Sequence, residues 1–170
     1  YSAETVKLSN ASMAYNGKVK NPTVIVKDSK GNVISSDYYT VSTPSGRKTV
    51  GKYTYKVTFK GNYEGEADLK LTVKPAKPTI LAPKAAKKAV TVKWKKVTTQ
   101  KDGYQVMVAT DKKFKKNKKS VLVKGAKTTA KKVSGLTAKK TYYVKVRAYK
   151  TVKGVKIYSN WSAIKTVKIK

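Results

Sequence analysis

Val90, Val92 and Trp94 fall on one side of an extended chain, and Thr91, Lys93 and Lys95 fall on the other. This period-two alternation predicts a strand with one face buried and one in water. The same pattern returns at Tyr104, Val106 and Val108, at Val121 and Val123, at Tyr142, Val144, Val146 and Ala148, and at Val167 and Ile169. In the first half, residues 23–27, 38–42, 53–59 and 67–73 are strand candidates of the same kind. No segment sustains a helical period, so the fold class is all-β.

Glycine, asparagine and proline punctuate these runs. Lys101-Asp102-Gly103, Lys124-Gly125, Ser134-Gly135 and Lys153-Gly154 mark turns at sandwich-like intervals, and Asp28-Ser29-Lys30-Gly31-Asn32 reads as a hairpin loop. Lys74-Pro75-Ala76-Lys77-Pro78 is different in kind. Two prolines there remove backbone donors and hold the preceding residues extended, as in a short stiff linker. The expectation is two tandem β-sandwiches, residues 1–76 and 77–170.

Charge divides the chain at the same place. Up to Lys74 there are 12 basic and 6 acidic residues, a net +6; beyond it there are 28 and 2, a net +26. Only Arg47 and Arg147 are arginine, so the field is almost wholly lysine. A hydrated point charge attracts polyanions but reads guanine edges and phosphates poorly, which argues against sequence-specific nucleic-acid binding. Cysteine and histidine are both absent, which removes disulfides, thiolate metal sites, the commonest metal ligand and the usual general base. No apolar run approaches the roughly 18 residues of a membrane span.

The second half resembles a fibronectin type III domain through Trp94, Gly103-Tyr104, Leu136, Tyr142, Val144, Val146 and Tyr158-Ser159-Asn160-Trp161-Ser162. The spacing from Leu136 to Tyr142 is similar to a tyrosine corner, in which a phenol bonds to nearby backbone. That resemblance implies seven strands in two sheets. Residues 5 to 74 resemble bacterial immunoglobulin-like repeats through Tyr15-Asn16-Gly17-Lys18, Pro22, Val24, Val26, Asp28, Gly31, Asp37-Tyr38 and Gly61-Asn62-Tyr63-Glu64-Gly65. The implied setting is a Gram-positive surface or secreted protein built from tandem modules, extracellular or attached to the cell wall. Neither family carries a catalytic set that transfers to this chain.

Candidate sites follow from charge and aromatic placement. Lys112, Lys113, Lys115, Lys116, Lys118 and Lys119 form the densest basic run, a candidate contact for an anionic cell-wall polymer, a glycan or an acidic protein; solvated lysines that block sheet-edge aggregation are the plainer reading. Tyr143, Arg147 and Tyr149 alternate with the inward residues of their strand and should stand on its outer face near Trp161. They form either a ladder that pins the last strand or an aromatic platform for a ligand. Glu64, Glu66 and Asp68 alternate along one strand and read as a solvated face rather than paired catalytic carboxylates. Asp28 beside Lys30 supplies too little charge for a calcium loop.

The expected function is therefore a non-catalytic, monomeric structural or adhesion module without cofactor or metal. The alternative is an accessory spacer of a secreted glycanase or peptidase whose catalytic domain lies elsewhere.

Overall fold

A computed structural model describes residues 3–170. Packing divides the chain between Lys74 and Pro75 into two compact units. Among the described residues every regular element is a strand except for one short 3₁₀ turn, Ser36–Tyr38.

In the first unit, β1 (Thr5–Leu8) pairs with β3 (Val24–Lys27). A second sheet runs in the order β2 (Ser12–Ala14), β6 (Glu66–Lys74), β5 (Gly51–Phe59), β4 (Tyr39–Ser42), with β2 parallel to β6 and the other pairs antiparallel. Along β5 the residues Tyr55 and Val57 are buried while Lys52, Thr54 and Lys56 are exposed, as the alternation requires. Leu8 from β1 joins Tyr55, Leu71 and Val73 from the larger sheet in one core, so the unit is a sandwich. The expected hairpin at Asp28 forms: Asp28 N–H donates to the Asn32 carbonyl, and Lys27 bridges to Val33. Strands β1 and β2 were not expected, because Thr5–Leu8 and Ser12–Ala14 are too short and too polar to show a period.

The second unit faces two sheets across a larger core. One contains β12 (Ala130–Ser134), β9 (Ala89–Lys95) and, along the far edge of β9, β7 (Thr79–Ile80) followed by β8 (Lys84–Ala86). The other runs β11 (Lys119–Lys124), β10 (Gly103–Ala109), β13 (Thr141–Val152), and then β14 (Val155–Tyr158) and β15 (Lys165–Lys168), which both pair with β13. The nine segments occupy seven strand positions, because the first and last strands are each interrupted. This three-plus-four arrangement is an immunoglobulin-like sandwich of the fibronectin type III kind.

Val90, Val92 and Trp94 on β9 meet Tyr104, Val106 and Val108 on β10 and Tyr142, Val144 and Val146 on β13, all buried. Ala76 packs against this core too. The Tyr142 hydroxyl accepts the backbone N–H of Thr137 at 3.1 Å, one residue beyond Leu136. Tyr142→Phe should therefore cost about 1 to 2 kcal/mol, since the Thr137 N–H loses its acceptor in a partly buried place. Unchanged thermal stability of that variant would remove the corner's role.

Candidate functional site

Strand β13 places Tyr143, Lys145, Arg147 and Tyr149 on its outward face, opposite the inward Tyr142, Val144, Val146 and Ala148. Between β14 and β15 the chain leaves regular pairing but stays fastened to β13. Ser159 N–H donates to the Ala148 carbonyl at 2.8 Å and Ser162 N–H to the Val146 carbonyl at 2.8 Å. In return the Ser159 hydroxyl accepts from Ala148 N–H at 2.9 Å, and the Ser162 hydroxyl accepts from Val146 N–H at 3.0 Å. Two buried hydroxyls thus stand in for ladder carbonyls, and Trp161 between them is laid over the outward face of the sheet.

A chain of cations and rings results. Lys145 Nζ lies 3.9 Å from the Phe114 ring centroid and 4.5 Å from that of Trp161. The Arg147 guanidinium lies 4.3 Å from Trp161 and 3.8 Å from Tyr158. Tyr158 in turn packs against Tyr149, with centroids 6.0 Å apart. Arg147 Nε donates to Gln105 Oε1 at 2.7 Å, and Gln105 Nε2 donates to Ser120 Oγ at 2.8 Å, which carries the order across β10 to β11. Cation–π contact holds these charges, in contrast to the Lys56–Glu66 ion pair of the first unit, at 2.7 Å.

Electrostatics agree with this packing. Burial lowers the pKa of Lys145, and the nearby positive charges of Arg147 and Lys118 lower it further. Burial also lowers that of Arg147 and raises that of Tyr149.

The structure brings Arg147 and Trp161 together but treats the two tyrosines differently. Tyr143 is half-buried, paired across the sheet with Ala109 and Thr166, and sits beyond the chain of rings. Tyr149 is only 5% exposed, which corrects the expectation that it stands on an open face. Its register partner is Gly103, where a Cβ would lie 2.8 Å from the tyrosine ring and 2.3 Å from the Val123 carbonyl oxygen, so the ring fills the space that glycine leaves. Lys145, Phe114 and Tyr158 complete the ladder and were not anticipated. Lys145 shares the period of Arg147, but a lysine among so many looks like one more solvated charge.

The lysine run lies in the loop between β10 and β11, and all six side chains are exposed. Asp111 Oδ1 accepts the N–H groups of Lys115 at 2.8 Å and Lys116 at 2.7 Å, and these bonds, that of Lys116 first, hold its carboxyl below the usual range. Buried Phe114, at φ +55°, pins the middle of the loop under Lys145. Lys112, Lys113, Lys115, Lys116 and Lys118 are exposed on this frame. Lys119 opens β11 instead, and its ammonium donates to the carbonyls of Ser134 at 2.9 Å and Gly135 at 2.7 Å.

The first unit's acidic residues separate as well. Glu66 and Asp68 lie exposed on β6, with Glu66 paired to Lys56, whereas Glu64 sits in the turn before the strand and not on it. No group of three or more potential metal-ligating residues occurs among the described residues, and no helix there is long and apolar enough to cross a membrane.

No protein-family model matches the chain, and no curated protein matches it. Among solved structures, the chicken CNTN1 FN1-FN3 domains are 18% identical at a TM-score of 0.48, over 100% of this chain and 68% of that one. A myokine structure is 17% identical at 0.45, over 56% of this chain and 98% of that one. A β-1,2-glucanase from Parabacteroides distasonis is 15% identical at 0.45, over 66% of this chain and 17% of that one.

Proposed function

We propose that this chain is a non-catalytic structural and interaction module of a secreted or wall-attached bacterial surface protein, an immunoglobulin-like repeat followed by a fibronectin type III domain. It acts as a monomer and contacts anionic wall polymers through the lysine loop Lys112–Lys119. One observation carries this reading: five exposed lysines lie on a loop whose backbone Asp111 bonds and whose middle the buried Phe114 anchors. A solvated run needs no such frame. A net +26 also leaves the second unit self-repelling until counter-charges arrive, and an anionic polymer supplies them.

The test is retention of the full chain on immobilised lipoteichoic acid. Replacing Lys112, Lys113, Lys115, Lys116, Lys118 and Lys119 by glutamine should weaken retention about tenfold or more at low salt while the thermal transition persists. Retention of the parent chain should fall steeply as the Debye length shrinks below roughly 8 Å. Equal retention of parent and variant would sink the proposal.

A further inference from the structure

The first unit carries a second feature, far less basic than the lysine loop. Its 3₁₀ turn ends at Tyr38, and the turn joining β5 to β6 begins at Lys60. Lys60 N–H donates to the Tyr38 carbonyl at 2.9 Å, which fastens the two together. Gly61, at φ +68°, lies under the Tyr38 ring so closely that a Cβ there would be 3.3 Å from Tyr38 Cδ1. Tyr63 meets the same ring edge-on, with centroids 5.5 Å apart, and Phe59 backs Tyr63 at 6.4 Å. The Tyr38 ring is thus held from one side and remains 39% exposed.

Facing it is the hairpin loop after β3. Asp28 Oδ1 accepts the backbone N–H groups of Lys30 at 2.9 Å and Asn32 at 2.8 Å, while Oδ2 accepts from Asn32 Nδ2 at 3.1 Å. A carboxylate has about four acceptor positions, so this one keeps capacity beyond those three bonds. These bonds, that from the Asn32 side chain first, hold the Asp28 carboxyl below the usual carboxylate range. Between the loop and the ring lies a recess of about 410 Å³, bordered also by Ser29, Asn62 and Tyr63.

We propose that this recess binds a neutral oligosaccharide, with the Tyr38 ring stacking on the C–H face of a pyranose and Asp28 accepting hydroxyl donors. A fixed, partly bare aromatic face and an ionised carboxylate beside amide, hydroxyl and ammonium groups match a ligand with one apolar face and a rim of hydroxyls. The carboxylate disfavours a polyanion here, in contrast to the second unit's lysine loop. This site is independent of the one proposed above.

The test is titration of the ¹⁵N-labelled full chain with chitohexaose and with cellohexaose, followed by amide chemical shifts. A saturable shift confined to Ser29–Asn32, Tyr38 and Asn62–Tyr63, little changed by added salt, is expected with at least one of them. Tyr38→Ala should weaken that binding about tenfold, the loss of roughly 1.4 kcal/mol of contact, whereas Tyr38→Phe should retain it. Asp28→Asn, which keeps an acceptor for the Lys30 and Asn32 N–H groups, should weaken it while the loop's own shifts show the turn intact. No saturable shift with either sugar up to about 10 mM, the weak end of specific binding, would overturn the proposal. So would shifts centred in the second unit, shifts indifferent to Tyr38→Ala, or a response to dextran sulfate alone that salt abolishes.

Discussion

Trp94→Ala is expected to destabilise the second unit by about 3 to 5 kcal/mol, a large part of what holds a domain of this size together. The indole is 2% exposed and packs 5.1 Å from the Tyr104 ring between two sheets whose inner faces are otherwise mostly valine. Valine is short and stiff at χ1, so the surrounding side chains cannot swing into the vacated space and most of it remains as a cavity. Tyr104 is itself fixed, since its hydroxyl accepts the N–H of Val97 at 3.0 Å, and it cannot tilt inward without orphaning that donor. The Trp94 Nε1 donor is buried and has no partner among the described residues, so the indole's stabilisation comes from packing alone. Trp94→Phe removes that unpaired donor while keeping most of the volume, and should cost much less than Trp94→Ala. Denaturant unfolding followed by the emission of Trp161, then the one remaining tryptophan, measures both. A cost below about 1.5 kcal/mol for Trp94→Ala would mean that the core collapses freely around the site.

The same inward residues make the second unit legible in the sequence itself. Strands β9, β10 and β13 place valine, alanine or an aromatic residue at every second position over seven residues or more. Between them stand mostly polar residues such as Thr91 and Lys93 on β9, Gln105 on β10 and Lys145 and Arg147 on β13, a pattern that reads as a half-buried strand. β7, β8, β12 and β14 are shorter edge pieces whose few inward residues, such as Val133 and Ile157, are lost among lysines. The ladder was half legible for a related reason. Period two places Arg147 and Tyr149 on the outer face of β13, but Tyr149 is covered because it registers against Gly103, and register is a relation between strands that one strand's pattern does not contain. Phe114 reaches the ladder from a loop and Tyr158 from a neighbouring strand, so no local spacing announces either. The recess at Tyr38 was invisible on the same ground: Asp28 and Tyr38 are ten positions apart and meet only through the fold.

Replacing both Ser159 and Ser162 by alanine should cost the second unit about 2 to 5 kcal/mol, near the sum of two orphaned backbone donors at roughly 1 to 3 kcal/mol each. Both hydroxyls are buried, and each is used twice. Each accepts an N–H of β13, from Ala148 or Val146, and each donates to the carbonyl of the residue after it, Asn160 at 2.8 Å and Ala163 at 2.9 Å. Alanine leaves the strand's N–H groups facing a methyl group in a buried place. The two sites share one segment, so their effects should be coupled rather than strictly additive. As that segment loosens, Trp161 leaves the two cations beneath it and its emission should shift to the red. The lysine loop should keep its shape, because the buried Phe114 and the Asp111 bonds hold it without the serine segment. Retention on lipoteichoic acid should therefore survive a change that weakens the fold, and the six glutamine substitutions should show the reverse. A double serine variant that unfolds within about 1 kcal/mol of the parent, with Trp161 emission unmoved, would show that the backbone bonds at Ser159 and Ser162 suffice without their hydroxyls.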